Sequence, residues 1–296
     1  MMIILSWFAM IAMLGTSFIS VSYVAKQNLP FEFTMFYRMM ISSLILLIYL
    51  FIRKQRVLIK KNEVLLSVLV ASSQLNVWLS GIATKYVVSG IVPCVLLTQI
   101  FTAELISSVY EKRKMDKNIV ISGVIGVIGV FMLCNQELSS FNNIETKNTL
   151  IGILLAFIST FASAIGNLIY EKGGKNIQEM PKPTFLLYNC FFAGIFFLII
   201  SIIFNPAKDI FNPSLLNIKY LSVLSYLSVG PTILFLFAMY YIIEKQGSVK
   251  VTYVNFITPI LSMVISTIFE NFKWNAINLF GMILLLISVW VGIRKK

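Results

Sequence analysis

Long apolar stretches separated by short polar segments repeat along the whole chain. A helix needs about 20 mostly apolar residues to cross the hydrocarbon core of a bilayer, which is about 30 Å thick. The pattern predicts ten such helices, near residues 2–25, 31–52, 63–84, 87–110, 118–134, 149–170, 184–204, 217–243, 248–269 and 275–293. The connections between them are short. We therefore predict an all-α integral membrane protein with ten transmembrane helices.

Ten spans divide into five and five, and an odd number of spans in each half forces the two halves into opposite orientations. We place the first five-helix repeat at residues 1–134, a connecting loop at 135–148, and the second repeat at 149–296. Inverted repeats of this kind let two halves rock around a central site. The layout is therefore typical of transporters.

The two predicted repeats can be aligned in two ways around their fourth spans. One alignment places Glu111 opposite Glu270, because both residues end segments of similar layout. The other aligns Pro93 with Pro259 and so places Glu104 opposite Glu270. The identities are too few to choose between these alignments, and both remain open.

Composition supports a membrane protein and narrows the chemistry. The chain is 58% apolar and 12% charged, whereas soluble domains carry about a quarter charged residues, so a soluble enzyme is excluded. The absence of histidine excludes Ser-His-Asp triads and His-ligated zinc. Cys94, Cys134 and Cys190 stand alone in apolar stretches, where small buried hydrophobes are expected. We predict no cofactor and no metal site.

The net charge of +12 requires a separate interpretation, because strongly basic proteins often bind nucleic acid. If the N-terminus is cytoplasmic, roughly three basic residues fall in inner connections for each one in outer connections, which is the bias of cytoplasmic loops. The charge thus indicates orientation in a lipid bilayer and not nucleic-acid binding. We predict a multi-pass protein of the cell (inner) membrane with both termini in the cytoplasm.

Two ionisable residues are expected within the hydrocarbon, where a charged side chain costs about 2.5–3.5 kcal/mol at a helix centre. Arg38, in the second span, either receives a substrate carboxylate or ties neighbouring helices together. Glu104, in the fourth span, either handles a proton or packs near the inner end of the bundle. Both residues are therefore candidates for function, Arg38 in substrate binding and Glu104 in proton coupling.

The third span carries a polar segment, SSQLNVW, that is unusual at mid-membrane. Gln74 and Trp78 are four residues apart and share a helix face, so Gln74 would hydrogen-bond a substrate and Trp78 would stack on it. The alternative is hydrogen bonding between helices, and Asn76, which is predicted to face elsewhere, fits that alternative better. Further polar residues expected at a binding site are Gln99, Asn167 and Asn255.

Prolines and glycines indicate where the spans bend and pack. Three prolines fall inside predicted spans, where they are expected to kink helices and assist gating: Pro93, Pro231 and Pro259. In the fifth span Gly123, Gly126 and Gly129 recur at a spacing of three. Such a stripe serves close helix packing within one subunit or dimerisation. We predict a monomer or a weak homodimer.

Short motifs in several spans point to a known family. The chain has LGTSFISVSYVAK from Leu14 to Lys26, FYR in the second span, ATKYVVSG before the fourth, and ITPILSMVISTIFEN in the ninth. These segments resemble the W-G-x-x-F, F-R, A-L-K-Y-x-x-A and proline-to-G-E motifs of EamA-type proteins in the drug/metabolite transporter superfamily. Leu14 replaces the tryptophan, and no glycine precedes Glu270. The resemblance implies a ten-span carrier that exports amino acids or related amphiphilic metabolites.

These observations favour a secondary active transporter that moves a small metabolite by alternating access, with proton coupling as an open variant. A channel or a lipid translocator on the same fold is the alternative. An intramembrane enzyme is disfavoured, because histidine is absent and both aspartates, Asp116 and Asp209, lie in connections. The predicted partners are a small-molecule substrate and the lipid bilayer, with protons if transport is coupled.

Overall fold

The structure, a computed structural model, describes residues 2–26, 31–58, 60–135, 143–173, 180–204, 217–251, 254 and 257–293. All regular secondary structure within these ranges is helical. The main helices are α1 (Met2–Ala25), α2 (Phe31–Ile52), α3 (Lys61–Ala83), α4 (Ile91–Tyr110), α5 (Lys117–Leu133), α6 (Asn143–Lys172), α7 (Lys182–Phe204), α8 (Ile218–Gln246), α9 (Ile257–Phe269) and α10 (Ala276–Ile293). The predicted all-helical fold is confirmed.

The described helices differ in their ability to cross a membrane. Seven of them, α1 to α4 and α6 to α8, are long and apolar enough to do so, and α5, α9 and α10 are shorter apolar helices. The ninth predicted span includes two described helices. A four-residue helix, Ser248–Val251, comes first, and α9 itself begins only at Ile257.

Helices α5 and α10 pack along each other through glycines. A Cβ atom added to Gly281 on α10 would lie 2.6 Å from the backbone N of Leu133 and 2.8 Å from the carbonyl O of Gly129. Gly126 meets Ser288 across the same contact. The glycines of the fifth span thus serve packing inside the chain, where a residue without Cβ lets two backbones approach closely.

The first helix of each half packs against helices of the other half. Helix α1 contacts α8 and α9, and the Ser262 hydroxyl on α9 donates to the Gly15 carbonyl on α1 at 3.0 Å. Helix α6 contacts α3 and α4, with Gly166 lying against Ser73 of α3. Helix α2 packs along α7. This crosswise packing brings α1, α3, α4, α6 and α8 together at the centre of the bundle.

Candidate functional site

A cavity of about 120 Å³ lies between the central helices. Its walls come from α1, α2, α3, α4, α6 and α8, and from Val251 and Val254 before α9. The polar part of the lining consists of Ser17, Arg38, Ser73, Gln74, Asn76, Ser80, Gln99, Ser163, Asn167 and Thr232. Apolar side chains such as Met10, Phe18 and Leu236 complete the walls. A few polar groups on apolar walls are typical of a small-molecule site.

Three helices depart from α-helical geometry where they line this cavity. Helix α3 contains the 3₁₀ turn Ser72–Gln74, α4 is interrupted between Leu96 and Gln99, and α8 contains the π-helical segment Ser228–Leu234. Irregular backbone at membrane depth is tolerated where it lines a cavity, and π segments are frequent at functional sites. The three irregular segments therefore all lie at the cavity, as expected for a functional site in a membrane protein.

The three prolines predicted inside spans have different positions in the helices. Pro231 lies within the π segment of α8. Pro93 and Pro259 are each the third residue of their helices, α4 and α9. The N–H groups of a first turn have no partner within the helix, so a proline there breaks no hydrogen bond. Pro231 thus lies inside a described helix at its π segment, whereas Pro93 lies in the first turn of α4.

Arg38 supplies the positive charge of the lining. Its side chain comes from α2 and is buried, with 4% of the residue exposed. The Nε atom donates to the Thr232 hydroxyl of the π segment at 2.7 Å, and Nη1 lies 3.8 Å from the Met35 sulfur. In the described part of the chain, the acidic residues that form ion pairs do so with other basic residues. The guanidinium is thus held in place by a hydroxyl and forms no ion pair with a described carboxylate.

Amide side chains from three helices also reach the cavity. Gln74, Gln99 and Asn167 are buried, and the Gln99 amide nitrogen donates to the Ser163 hydroxyl at 2.8 Å, joining α4 to α6. The Oδ1 atom of Asn76 is buried and accepts no hydrogen bond from any described residue. Buried polar groups are normally hydrogen-bonded. This oxygen is also closed off from the cavity in the structure, so a molecule in the cavity can reach it only if the lining moves.

Helix α3 presents Gln74 and Asn76 to the cavity, whereas Trp78 is not part of the lining. A 3₁₀ turn advances about 120° per residue where an α-helix advances about 100°, and the stripe formed by Ser73, Asn76 and Ser80 lines the cavity. The Trp78 indole N–H instead donates to Glu32 Oε1 at 3.1 Å. Gln74 therefore lies at the cavity as predicted, whereas Asn76, predicted to face elsewhere, also lines it and Trp78 does not.

Two other residues complete the comparison with the predicted site. Asn255 lies outside the described residues. Glu32, in the first turn of α2, is an acid with only 8% exposure that the sequence analysis did not single out. Acidic residues are common in the first turns of helices, so the sequence position of Glu32 did not indicate that this residue is buried.

Glu104 lies on α4 but is not part of the cavity lining. Its carboxylate accepts hydrogen bonds from the Arg113 guanidinium, with Nη2 to Oε2 at 2.9 Å, and from the Ser108 hydroxyl at 3.1 Å. Arg113 follows α4 in a short basic run, and only its return toward the helix brings it to Glu104. The acid expected to be isolated in the membrane is therefore part of an ion pair.

The fold defines a polytopic α-helical membrane protein with a partly polar cavity between its helices. Residues 1–135 and 150–293 match the sequence profile of the EamA-like transporter family, and the chain belongs to this family. The predicted resemblance is therefore confirmed. Members of the family are membrane transporters.

Solved structures support the same fold. Among them 28 chains match this chain. One, described only as a crystal structure of a protein, has a TM-score of 0.69 and 14% sequence identity, and covers 98% of this chain and 95% of its own. At this identity the similarity concerns the fold alone. No curated protein matches the sequence.

Proposed function

We propose that this protein is a secondary active transporter that moves a small metabolite across the membrane by alternating access. The central cavity carries this proposal, because it combines a buried guanidinium outside any described ion pair with amide groups and apolar walls. Family membership supports transport as the general activity. The described lining contains no carboxylate, thiol or imidazole, which argues against an intramembrane enzyme.

The substrate class follows from the groups in the cavity. Arg38 can receive a carboxylate in charge-assisted hydrogen bonds while its Nε stays on Thr232. Asn76 Oδ1 offers an acceptor for an ammonium or hydroxyl group, and Phe18 and Met10 offer apolar contact. We therefore propose an amino acid or a related amphiphilic solute.

We propose ten transmembrane helices arranged as two inverted repeats, residues 1–134 and 149–296, joined by 135–148. The packing pattern supports this arrangement. In such a repeat each helix corresponds to the one five places later in the chain. The contact of α1 with α9 is then equivalent to the contact of α6 with α4. The contacts α2–α7 and α5–α10 each join a helix to its own counterpart. The match of the family profile in two segments is consistent with the same division.

Orientation and coupling complete the proposal. The excess of basic residues in one set of connections supports termini on the cytoplasmic side of the cell (inner) membrane, and the family resemblance favours export. We assign proton coupling to Glu104, because protonation of its carboxylate would break the ion pair with Arg113. The other charged groups at this position are Glu111, which also binds Arg113, and Lys172, which binds Glu111.

Transport by the purified protein in proteoliposomes tests the proposal. The panel contains amino acids, their methyl esters and the corresponding decarboxylated amines, each measured with and without a pH gradient. We expect saturable flux of the carboxylates and little flux of the esters or amines. Non-saturable currents, as in a channel, or equal flux of acid and ester would contradict the proposal. If Glu104→Gln leaves gradient-driven accumulation unchanged, the coupling role is wrong while the transport role stands.

A further inference from the structure

An ion-pair cluster lies at the end of the bundle where α1 ends. Glu270, the residue after α9, accepts hydrogen bonds from Lys26 Nζ at 2.9 Å and from the Ser22 hydroxyl at 3.0 Å, both at the end of α1. Its other oxygen accepts from the Ser89 backbone N–H at 3.0 Å and from the Ser266 hydroxyl at 3.0 Å. We call these five residues the Lys26 cluster. It connects α1, α9 and the turn before α4.

A second cluster lies where α6 finishes. Glu111, the residue after α4, accepts from Lys172 Nζ at 2.8 Å and from Arg113 Nε at 2.8 Å. Arg113 also pairs with Glu104, and Ser108 donates to the same carboxylate. We call these five residues the Lys172 cluster. It connects the last turns of α4 and α6.

The two clusters occupy equivalent places in the two halves. In each, a lysine at the end of the first helix of one half binds a glutamate that follows the fourth helix of the other half: Lys26 with Glu270, and Lys172 with Glu111. Both alignments of the repeats lead to the same cluster, because Glu104 and Glu111 share Arg113. The Lys172 cluster therefore contains both residues that can correspond to Glu270.

Helix α4 shows that the clusters lie on opposite sides of the cavity. Ser89, just before α4, belongs to the Lys26 cluster, and Glu111, just after α4, belongs to the Lys172 cluster. The 20 residues of α4 span ~30 Å at 1.5 Å per residue. Between the two ends, Leu96 and Gln99 line the cavity. One cluster thus lies at each end of a path that passes through the candidate binding site.

The charges within each cluster are balanced and accessible. The Lys26 and Lys172 side chains are 48% and 37% exposed, and exposed ion pairs are weak enough to break readily. Burial raises the pKa of Glu270, but the hydrogen bonds from Lys26 and Ser89 lower it by more, so the net pKa lies below its usual value. The hydrogen bond from Lys172, with that from Arg113, lowers the pKa of Glu111. Both carboxylates are therefore ionised partners of their lysines near neutral pH.

We propose that the Lys26 and Lys172 clusters are the two gates of the transport cycle, one opening while the other stays closed. The proposal rests on alternating access as the proposed function. Each gate joins helices of different halves, so a movement of one half against the other must break one cluster and can preserve the other. Lys26, Glu270, Glu111 and Lys172 then act as positioning residues, which set the side from which the cavity is reached without contacting substrate.

Cysteine accessibility tests the gates without any substrate. The three buried native cysteines are replaced by alanine, and Ser17→Cys or, separately, Ser80→Cys places a reporter thiol in the cavity lining. A membrane-impermeant maleimide is then applied to either face of oriented vesicles. Glu270→Gln should raise labelling several-fold from the Lys26 face and lower it from the other. Glu111→Gln should have the opposite effect.

Matched variants separate a gate from a general loss of stability. The charge exchange Lys26→Glu with Glu270→Lys should restore the original labelling, because it rebuilds the pair in reverse. Glu63→Gln removes an ion pair of the same kind, with Arg56 before α3, and should leave labelling from both faces unchanged. The proposal is overturned if Glu270→Gln and Glu111→Gln leave labelling unchanged or shift it at the same face. Reciprocal labelling in a protein that moves no solute would instead support the gates and contradict the proposed function.

Discussion

The α5–α10 interface and the central cavity are built in opposite ways. At the interface, helices pack at glycines such as Gly281, and the buried Asn278 amide donates to the Leu133 carbonyl at 2.7 Å. At the cavity, three helices lose regular geometry, Arg38 has no described carboxylate partner, and Asn76 Oδ1 accepts no described hydrogen bond. Both regions contain a buried acceptor without a described partner, Asn278 Oδ1 and Asn76 Oδ1, but of the two only the cavity also holds a buried charged group, Arg38, without a described carboxylate partner.

This difference indicates how the two regions divide the tasks of the molecule. Buried polar groups without partners cost free energy, so a site that retains them sacrifices stability for binding. Close backbone packing contributes stability and offers nothing to a solute. Substitutions at the interface should therefore lower the free energy of unfolding and leave substrate affinity unchanged, and substitutions in the cavity should have the reverse effect.

The largest expected effect is on stability, from Gly281→Ala. The new Cβ would meet backbone atoms of α5 at 2.6 Å and 2.8 Å, so the helices must separate. We expect a loss of about 3 kcal/mol, the upper range for overpacking, measured by thermal unfolding in detergent. Gly126→Ala is the matched control, because its Cβ meets side-chain atoms only, the nearest being the Ser288 hydroxyl at 3.3 Å. Equal destabilisation by both variants would contradict the role assigned to Gly281.

Arg38→Gln should produce the next largest effect, on transport. Losing a charge-assisted bond to the substrate, worth about 2 kcal/mol, lowers kcat/KM by about 30-fold. Because the guanidinium has no described carboxylate partner, the free energy of unfolding should stay the same or rise. Saturable flux and thermal unfolding are measured on the same preparation. A large loss of stability without a transport defect would make Arg38 a structural tie.

Two asparagines offer a matched pair with a smaller effect. Asn76→Ala removes an acceptor that only a solute would use, so KM should rise about 5-fold, the equivalent of one hydrogen bond, at constant stability. Asn278→Ala removes the bond to Leu133 together with the unpartnered Oδ1, so it should cost at most about 1 kcal/mol of stability at constant KM. KM values from flux and unfolding temperatures check both expectations. If the two variants show the same pattern, the division between the regions fails.

The smallest effect is expected from Pro231→Ala. Alanine restores a backbone N–H in the π segment, and a more regular helix would move Thr232, which orients Arg38 through Nε. We expect about a twofold change in kcat/KM, since a single oriented hydrogen bond is only weakened. Val229→Ala, at an exposed position of the same segment, serves as the control. An equal change in both variants would remove the special role of the proline.

Much of the fold could be predicted from sequence, because membrane helices must be long and apolar. The second predicted span, residues 31–52, coincides with Phe31–Ile52 of α2. The ninth predicted span, residues 248–269, includes the described helices Ser248–Val251 and Ile257–Phe269. Hydropathy reports burial in lipid and so locates such helices, but it does not show irregular geometry within them, such as the π segment of α8.

The candidate site was only partly predictable. Arg38 could be selected as a cavity residue because a charge inside an apolar span is costly and therefore conspicuous. The facing of Asn76 could not be predicted, because the sequence pattern does not show which side of α3 is turned toward the cavity. The partner of Glu104 was equally hidden, since Arg113 reaches it only through the path of the chain after α4.

The most direct test of the central claim, that the cavity around Arg38 binds the transported solute, is counterflow of one amino acid identified by the panel above. Proteoliposomes of the unmodified protein, Arg38→Gln and Arg53→Gln are compared at a substrate concentration well below KM. Arg53, exposed at the end of α2, is the control. We predict full counterflow for the unmodified protein and Arg53→Gln, and a reduction of about 30-fold for Arg38→Gln, from the loss of a charge-assisted bond. Equal counterflow by all three proteins would contradict the claim.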